Sequence, residues 1–408
     1  MQSRDKKSNE IQVPVRELKR GMYVSRLDRD WLDTPFMMQG FLLKTQEDVD
    51  IVASLCEFVF VDPDRKAKLS AQESYVGGSA TQAFIASQAY EQDFETECEL
   101  VKPAFERARS HVKDIFRGLR LSQEINVEQT QATVDHCVDS ILKNPDALMW
   151  LSRIRAENEY TAEHSLNVCI LAVAFGRHLG MSKTELKDLG VSALLHDVGK
   201  MRVPEEVLNK PAALTDRELS LMRSHTVHGR NLLMSTPRLY QGAIDVAYSH
   251  HERLDGKGYP RKIGADKINR FTRIVSIVDA FDAMTADRCY SKALSSTEAL
   301  RIIYNLRGTQ FDEDLVVSFI ESVGLYPPGT IVELHNGLIG IVLRTHPEKR
   351  HLPDIRLLLD KNHDPLEVED TLELSAMDAG ELGKQYFVKT VHPSGAFGID
   401  PRHINPLY

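Results

Sequence analysis

Histidine and aspartate side chains that could hold metal ions are concentrated in the middle of the chain. Seven of the fifteen histidines fall within residues 164–251. The stretch HDVGK brings His196 and Asp197 together, and the stretch HHERLDGKGYP places His250 and His251 directly before a glycine-rich segment. Two glycines in four residues favour a loop. Because vicinal histidines are unusual in a packed core, this spacing favours metal ligation followed by a functional loop.

Three further residues extend the candidate set, each on its own predicted helix. His164 begins an apolar helix over Ser165–Leu179, which ends at a glycine as a buried helix would. His225 lies on the helix that follows Thr215. Asp279 lies within RIVSIVDAFDAM, an apolar helix in which a carboxylate would be costly without a partner.

Each of these residues has an ordinary structural explanation when it is taken singly. A lone buried histidine is more often a hydrogen-bonded core residue than a ligand, and His178 and His228 are interpreted in that way. Asp279 alone could be a buried carboxylate bonded to the backbone. The combination is different, because five histidines and two aspartates come from separate elements. The pattern therefore predicts a metal site formed by His164, His196, Asp197, His225, His250, His251 and Asp279.

The ligand types indicate the kind of metal and the chemistry. Imidazole and carboxylate suit first-row divalent ions such as iron, manganese or zinc, and the set contains no thiolate. Seven ligands exceed what one ion accepts, so the set predicts two ions, with Asp197 of the His-Asp pair suited to bridge them. Two ions about 3.5–4 Å apart can activate water and polarise a phosphoryl oxygen. Two divalent ions less Asp197 and Asp279 leave a positive surplus that an anionic phosphodiester could meet.

Helical segments account for most of the sequence around these residues. From about Phe94 to Leu325 the apolar spacing is helical almost throughout. Helix starts are indicated by three capping boxes, Ser182 with Glu185, Thr215 with Glu218, and Ser295 with Glu298. The predicted fold class is mainly α.

Shorter, mixed segments flank this helical region. Ile11–Val15, Met22–Leu27 and Phe58–Val61 have strand patterns, and Gln46–Leu55 has helical spacing. TIVELHNGLIGIVLRTH has apolar runs on both sides of an Asn-Gly turn, which predicts a hairpin. The predicted organisation is a small α+β N-terminal domain at 1–64, a flexible linker at 65–95, an all-helical catalytic domain at 96–325 and a β-rich extension at 326–408.

Composition excludes several classes of protein. The chain has 408 residues, 42% hydrophobic and 27% charged, which is typical of a soluble globular protein. A net charge of −9 disfavours a nucleic-acid polymer as partner. No apolar run reaches the roughly 18 residues of a transmembrane helix, and MQSRDKKSNE has no apolar core of a secretory signal. Five scattered cysteines are typical of a reducing compartment, so a cytoplasmic location is predicted.

The pair HDVGK and HHERLDGKGYP resembles the HD-GYP family, a branch of the HD-domain metal-dependent phosphohydrolases that hydrolyses cyclic di-GMP. The resemblance covers roughly Leu151 to Glu321. It implies an HD-type helical core, a cyclic dinucleotide substrate and the linear product pGpG. LKRGMYVSRLDRDWLDTPFMMQGF, in the N-terminal unit, also resembles a domain of unknown function that often precedes HD-GYP domains.

The resemblance also implies a role for each site residue. One ion, iron or manganese, would be held by His164, His196, Asp197 and Asp279, and Asp197 would bridge to a second held by His225, His250 and His251. Asp197 and Lys200 would be catalytic, with Lys200 and Arg288 on the substrate's phosphates. Gly258 and Tyr259 of the Gly-Tyr-Pro loop would shape the substrate site, and the loop would be a contact surface for diguanylate cyclase (GGDEF) proteins.

Two positions depart from the family pattern. Tyr160 stands where some members have a glutamate that admits a third metal, and Ser291 stands where a basic residue is frequent. The motif therefore does not identify a basic residue that would contact the second phosphate of the substrate. With a third metal also unsupported, we expect the reaction to stop mainly at pGpG, with slow cleavage on to GMP.

Other functions remain open at the level of sequence. The same mechanism would serve another cyclic dinucleotide, such as 3'3'-cyclic GMP-AMP, because no residue is identified that reads the base. A non-catalytic cyclic dinucleotide receptor would be marked by a lost ligand, and all seven are present. Nucleoside triphosphate hydrolysis is disfavoured because it does not need His225, His250, His251 or the loop. The N-terminal unit is compatible with sensing, homodimerisation or docking.

Overall fold

The computed structural model describes residues 10–29, 40–43, 46–63, 94–121, 124–143, 145–153, 160–286, 292–346, 349–368, 370–377, 382–400 and 404. The chain divides into two compact units, Met1–Glu91 and Gln92–Tyr408, each treated by itself below. Most of the predicted linker, Arg288, Ser291 and the side chain of Tyr160 lie outside the described residues.

The first unit is a small α+β structure, as its strand and helix patterns predict. Its four-stranded antiparallel sheet has the order β1-β4-β2-β3. Val24, Val52 and Val59 are fully buried in its core. The elements are β1 (Ile11–Pro14), β2 (Tyr23–Leu27), β3 (Phe41–Leu42), α1 (Gln46–Leu55) and β4 (Phe58–Val61).

The second unit is predominantly helical, so the predicted fold class is confirmed. All three predicted capping boxes form, with reciprocal side-chain and backbone bonds at each helix start. A 3-10 helix, Val198–Arg202, follows the His-Asp pair. The helices are α2 (Phe94–Arg120), α3 (Val127–Lys143), α4 (Pro145–Arg153), α5 (Tyr160–His178), α6 (Lys183–Leu194), α7 (Glu205–Leu208), α8 (Asp216–Arg223), α9 (His225–Met234), α10 (Gln241–Ser249), α11 (Arg270–Thr285), α12 (Ser296–Asn305) and α13 (Glu313–Val323).

Helix α5 lies at the centre of this unit. It is apolar around almost its whole circumference, so it packs against α2, α3, α4, α6, α11 and α13. It ends before Gly180, whose φ of 73° is the left-handed conformation that a glycine C-cap adopts. The helix begins at Tyr160 rather than at His164, so His164 projects from its second turn.

A five-stranded antiparallel sheet of order β8-β7-β6-β5-β9 completes the second unit. The predicted hairpin forms between β5 and β6, with Gly337 of the Asn-Gly turn at φ 88°. Asp146 of α4 accepts a hydrogen bond from the backbone amide of Thr345 at 2.9 Å. The strands are β5 (Ile331–Leu334), β6 (Ile339–His346), β7 (Lys349–Leu359), β8 (Thr371–Glu373) and β9 (Val388–His392).

No helix in the described part of the chain combines the length and apolar character needed to cross a bilayer.

Candidate metal centre and substrate cavity

The seven predicted ligands meet in one buried cluster. Helix α5 supplies His164, the turn after α6 supplies His196 and Asp197, and α11 supplies Asp279. The end of α10 brings in the vicinal histidine pair. Ligand atoms within 4.8 Å of one another form three overlapping groups: His225, His250 and His251; His164, His196 and Asp279; and His196, Asp197 and His250.

The position of His225 differs in detail from the prediction. The helix after Thr215 ends at Arg223, and His225 is the first residue of the next helix, α9. Ser224 lies between them with αR backbone angles. His225 therefore approaches the cluster from a helix start, 1% exposed.

Asp197 faces both halves of the cluster. Its Oδ2 lies 3.6 Å from Nε2 of His164 and 3.4 Å from Nε2 of His196. Its Oδ1 lies 3.4 Å from Nε2 of His225 and 3.7 Å from Nε2 of His250. Each carboxylate oxygen thus points at a different group of imidazoles, which is the arrangement that a carboxylate bridging two ions requires.

The histidine rings are held so that Nε2 points inward. The Nδ1 atoms of His196, His225 and His250 lie 2.7, 2.6 and 3.1 Å from carbonyl oxygens three or four residues earlier in the chain. A carbonyl oxygen only accepts, so each Nδ1 carries a proton and each Nε2 faces the cluster, where it offers a lone pair when that nitrogen is deprotonated. Backbone bonds of this kind orient the histidine ligands of metal sites.

Asp282 orients the ring of His164 in the same way. The sequence patterns did not identify this residue. Its Oδ2 accepts from Nδ1 of His164 at 2.7 Å, and its side chain is 2% exposed. It lies three residues after Asp279 on α11, hence on nearly the same face. A second carboxylate one turn further along an apolar helix was the available signal.

Two buried atoms of the cluster suit a metal ion. Within the described residues, Nε2 of His196 and Oδ1 of Asp197 have no hydrogen-bond partner, although both residues are almost completely buried. Buried polar atoms are seldom left in this state, because the loss of hydration is not repaid. Imidazole nitrogen and carboxylate oxygen are ligand types for a first-row divalent ion, so the residues fit such an ion.

The carboxylates of the cluster are held ionised. Burial alone would raise the pKa of Asp197, but the charges of Lys200 and His196 outweigh it and hold the pKa well below its usual range. Burial acts on Asp279 in the same direction, and contacts with His164 and His196 lower its pKa well below normal. Both carboxylates are therefore available to a cation at neutral pH.

The histidines of the cluster divide by charge. Burial lowers the pKa of His225 to about 3, against the attraction of Asp197. Burial and the neighbouring histidines also hold the pKa of His251 well below its usual range. Burial opposes the charged form of His196 too, but Asp197 and Asp279 raise its pKa to about 10. His225 and His251 are neutral and ready to ligate, whereas His196 must exchange a proton for an ion.

The Gly-Tyr-Pro loop closes over this cluster. The Tyr259 ring stacks on His251, with ring centroids 4.7 Å apart and an interplanar angle of 28°. Arg223 lies over the same tyrosine ring at 5.1 Å. A Cβ at Gly258 would meet backbone atoms of the preceding turn at 2.5 Å, so this position requires glycine. The loop is thus fitted closely to the histidine pair.

Glu252 is a buried residue that anchors the C-terminal side of the Gly-Tyr-Pro loop. The sequence patterns did not identify it either. It is 4% exposed, and its carboxylate accepts from the backbone amides of Arg261 at 2.6 Å and Ile263 at 3.1 Å. Charge-assisted bonds to backbone amides are among the stronger hydrogen bonds. Glu252 therefore fixes the end of the loop relative to the histidines.

A cavity of about 1550 Å³ opens beside the cluster. Its wall includes Asp279, both vicinal histidines, Tyr259 and Lys200. The ammonium group of Lys200 forms an ion pair with Oδ2 of Asp197. Of the predicted substrate contacts, Lys200, Gly258 and Tyr259 lie together at this cavity, and Arg288 falls outside the described residues.

Family comparisons agree with this architecture. Residues 147–315 match the HD domain family, and residues 10–130 match a domain of unknown function, DUF3391. The helical unit and its histidine-aspartate cluster are those of a metal-dependent HD phosphohydrolase.

Individual relatives extend the match to most of the chain. A cyclic di-GMP phosphodiesterase of Pseudomonas aeruginosa is 34% identical over 349 residues, 85% of this chain and 84% of that protein. A 3'3'-cGAMP-specific phosphodiesterase of Vibrio cholerae is 33% identical over 174 residues, 43% of this chain and 38% of that protein. The solved structure of an HDG"Y"P protein from Bdellovibrio bacteriovorus is 16% identical, with a TM-score of 0.45 over 77% of this chain and 99% of that one. The chain belongs to the HD-domain phosphodiesterase family, and the HD-GYP resemblance is confirmed.

Proposed function

We propose that this chain hydrolyses cyclic di-GMP to linear pGpG at a centre of two divalent ions, iron or manganese. The observation that carries the proposal is the position of Asp197, whose two oxygens face separate groups of imidazoles. The Pseudomonas relative, named as a cyclic di-GMP phosphodiesterase and similar over most of both chains, supports the substrate.

The proposed ligand sets follow the two groups of side chains. His164, His196 and Asp279 would hold one ion, His225, His250 and His251 the other, and Asp197 both. Divalent ions in such a site polarise a phosphoryl oxygen and lower the pKa of water. Hydrogen bonds from Nδ1 to Asp282 or to backbone carbonyls hold four imidazoles with Nε2 directed at the centre. These rings therefore do not have to turn when a metal ion binds.

Lys200, Arg288, Gly258 and Tyr259 are proposed to act on the substrate. Lys200 lies between Asp197 and the cavity, so its ammonium can move onto a phosphate as a point charge. The Arg288 guanidinium, assigned from the motif, would contact phosphate through its planar fork. Gly258 and Tyr259 form part of the wall against which the substrate lies.

The decisive experiment compares wild type with His196→Ala/Asp197→Ala on a panel of cyclic dinucleotides. We expect about two ions per chain and turnover of cyclic di-GMP in wild type, and loss of both in the double variant. His178→Ala is the matched control, because His178 lies on α5 with His164 but near Glu321, away from the cluster. Full activity of the double variant would exclude the two-ion mechanism.

The product distribution tests where the reaction stops. A second cleavage requires pGpG to rebind with its remaining diester over the ions while its terminal phosphate is held elsewhere. Tyr160 offers no carboxylate for a third ion. We therefore expect pGpG to accumulate during a time course. GMP as the main early product, without accumulation of pGpG, would contradict this expectation.

Cyclic GMP-AMP is the second candidate substrate. The similarity to the Vibrio 3'3'-cGAMP-specific phosphodiesterase favours including it, although that match covers under half of either chain. The same panel separates the two: a higher kcat/KM for 3'3'-cyclic GMP-AMP than for cyclic di-GMP would assign the chain to the second substrate.

A further inference from the structure

Helix α2 belongs to the catalytic unit although it lies outside the HD match. The match to the domain of unknown function runs through residue 130 and so includes α2, whereas the HD match begins at residue 147. In the structure α2 is part of the second unit, where it packs against α5 and the 3-10 helix that carries Lys200.

Ion pairs fix α2 to this unit near its middle and at its C-terminus. Nε of Arg109 lies 2.6 Å and Nζ of Lys113 lies 3.5 Å from Glu163, a 3% exposed carboxylate next to His164 in sequence. Near its C-terminus, Arg120 forms an ion pair with Glu205. The part of α2 between these pairs is therefore held against the metal-bearing elements.

The face of α2 between the two anchors forms one wall of the substrate cavity. Lys113, Arg117 and Arg120 all line the cavity that contains Lys200 and the vicinal histidines. Their spacing of four and three residues places them on one face of the helix. At 1.5 Å per residue, this cationic strip is about 10 Å long.

The charge of the cavity is opposite to that of the chain. Among the described lining residues, eight are lysine or arginine and three are aspartate or glutamate, whereas the whole chain has a net charge of −9. Local enrichment of one sign raises the local concentration of a ligand of the other sign. The cavity is therefore suited to a ligand with more than one negative charge.

A cyclic dinucleotide has two phosphodiesters on opposite sides of its ring. When one lies over the Asp197 centre, the other lies some distance away and needs a cation of its own. The basic residues of α2 face the same cavity.

We propose that Arg117 receives the second phosphate of the cyclic dinucleotide, with Lys113 and Arg120 on either side of it. This assignment rests on the proposed function and adds a substrate contact from outside the HD match. Arg117 lies in the middle of the strip, between Lys113 and Arg120, which are both half-buried. Arg117 is exposed on the cavity side, and its planar guanidinium matches the two free oxygens of a phosphodiester.

The test compares Arg117→Gln with Arg107→Gln. Arg107 is an exposed arginine on the same helix that does not line the cavity, so its variant controls for helix charge and propensity. Two substrates are used: cyclic di-GMP, and bis(4-nitrophenyl) phosphate, which is a diester with no second phosphate. Metal content is measured for every variant.

We expect Arg117→Gln to raise KM for cyclic di-GMP about tenfold or more, with kcat changed less than threefold. Hydrolysis of bis(4-nitrophenyl) phosphate and metal content should equal wild type, and Arg107→Gln should equal wild type throughout. An unchanged KM for cyclic di-GMP in Arg117→Gln would overturn the assignment, as would equal losses on both substrates. A wild-type chain that cleaves the small diester but no cyclic dinucleotide would refute the proposed function itself.

Discussion

The cluster has an inner layer of imidazoles and an outer layer of hydrogen-bond partners, and the outer layer fixes the orientation of the inner rings. The inner imidazoles present Nε2 because their Nδ1 atoms are bonded to carbonyl oxygens or to Asp282. Asp282 is the one charged member of that outer layer among the described residues. Carboxylates that orient a ligating histidine in this way generally strengthen metal binding.

Asp282→Ala should weaken metal binding about 10- to 100-fold, because loss of this hydrogen-bond partner leaves the His164 ring free to turn away from the centre. Asp282→Asn keeps an acceptor for Nδ1 and should lose less. Metal content measured during titration with a chelator provides the readout. Asp266→Ala, which removes an exposed carboxylate, is the control and should match wild type. Equal affinity in Asp282→Ala and wild type would show that the carboxylate does not tune the site.

The residues of the inner cluster could be identified from sequence, and their supporting residues could not. His-Asp and His-His pairs are visible as motifs because chemistry limits which residue types can ligate. Asp282 acts on a residue 118 positions away, and Glu252 acts on backbone amides that any residue provides. No local pattern distinguishes such contacts from ordinary buried carboxylates. The role of Arg288 stays a prediction.

At the scale of elements, the cluster depends on how closely two helical segments approach. Gly199, in the 3-10 helix, lies against the backbone of α9 near Gly229. A Cβ at Gly199 would overlap the carbonyl oxygen of His225 and the amide nitrogen of Gly229. Because backbone atoms cannot move aside cheaply, this glycine sets the distance between Asp197 and His225, two residues of the cluster that come from different elements.

Gly199→Ala should therefore separate the two segments and cost both stability and metal. We expect a loss of several kcal/mol in the free energy of unfolding, typical of overpacking against rigid backbone, and much reduced metal content. Gly229→Ala is the matched control from the other side of the contact. Its Cβ would lie 3.5 Å from Ala247 and Gly199, an ordinary distance, and alanine is about 1 kcal/mol better than glycine inside a helix. The free energy of unfolding and the metal content are measured for both variants. Equal losses in Gly199→Ala and Gly229→Ala would contradict the prediction.

Element starts were predicted well where the sequence contains a cap, and less well where it does not. All three capping boxes form at the predicted positions. The break between α8 and α9 is not predicted, because Ser224 keeps helical angles and no glycine or proline marks the boundary. The consequence is local: His225 still reaches the cluster, but from a helix start.

Over the whole molecule, the family boundaries and the structural boundaries do not coincide. The match to the domain of unknown function ends at residue 130, but the first compact unit ends at Glu91. The intervening helix α2 buries Phe105, Val112, Phe116 and Leu119 within the second unit. The helical spacing of the sequence begins at about Phe94, and α2 begins at that residue.

Two truncated chains test whether the catalytic unit begins at residue 92 or after residue 130. A chain of residues 92–408 keeps α2, so we expect it to unfold cooperatively, bind metal and hydrolyse bis(4-nitrophenyl) phosphate. A chain of residues 131–408, cut at the end of the family match, loses α2. Burial of each large apolar side chain contributes about 1.5–3 kcal/mol, so removing four of them approaches the whole stability of a typical domain, about 5–15 kcal/mol.

The shorter chain, 131–408, should therefore aggregate or unfold without a cooperative transition and retain no metal-dependent turnover. Thermal unfolding followed by circular dichroism, with metal analysis, distinguishes the two chains under identical buffer conditions. Loss of the ion pairs to Glu163 adds to the effect, because that carboxylate, buried beside His164, would be left without Arg109 and Lys113. A folded, metal-loaded and active 131–408 chain would show that α2 is an attachment to the catalytic unit and not part of its core.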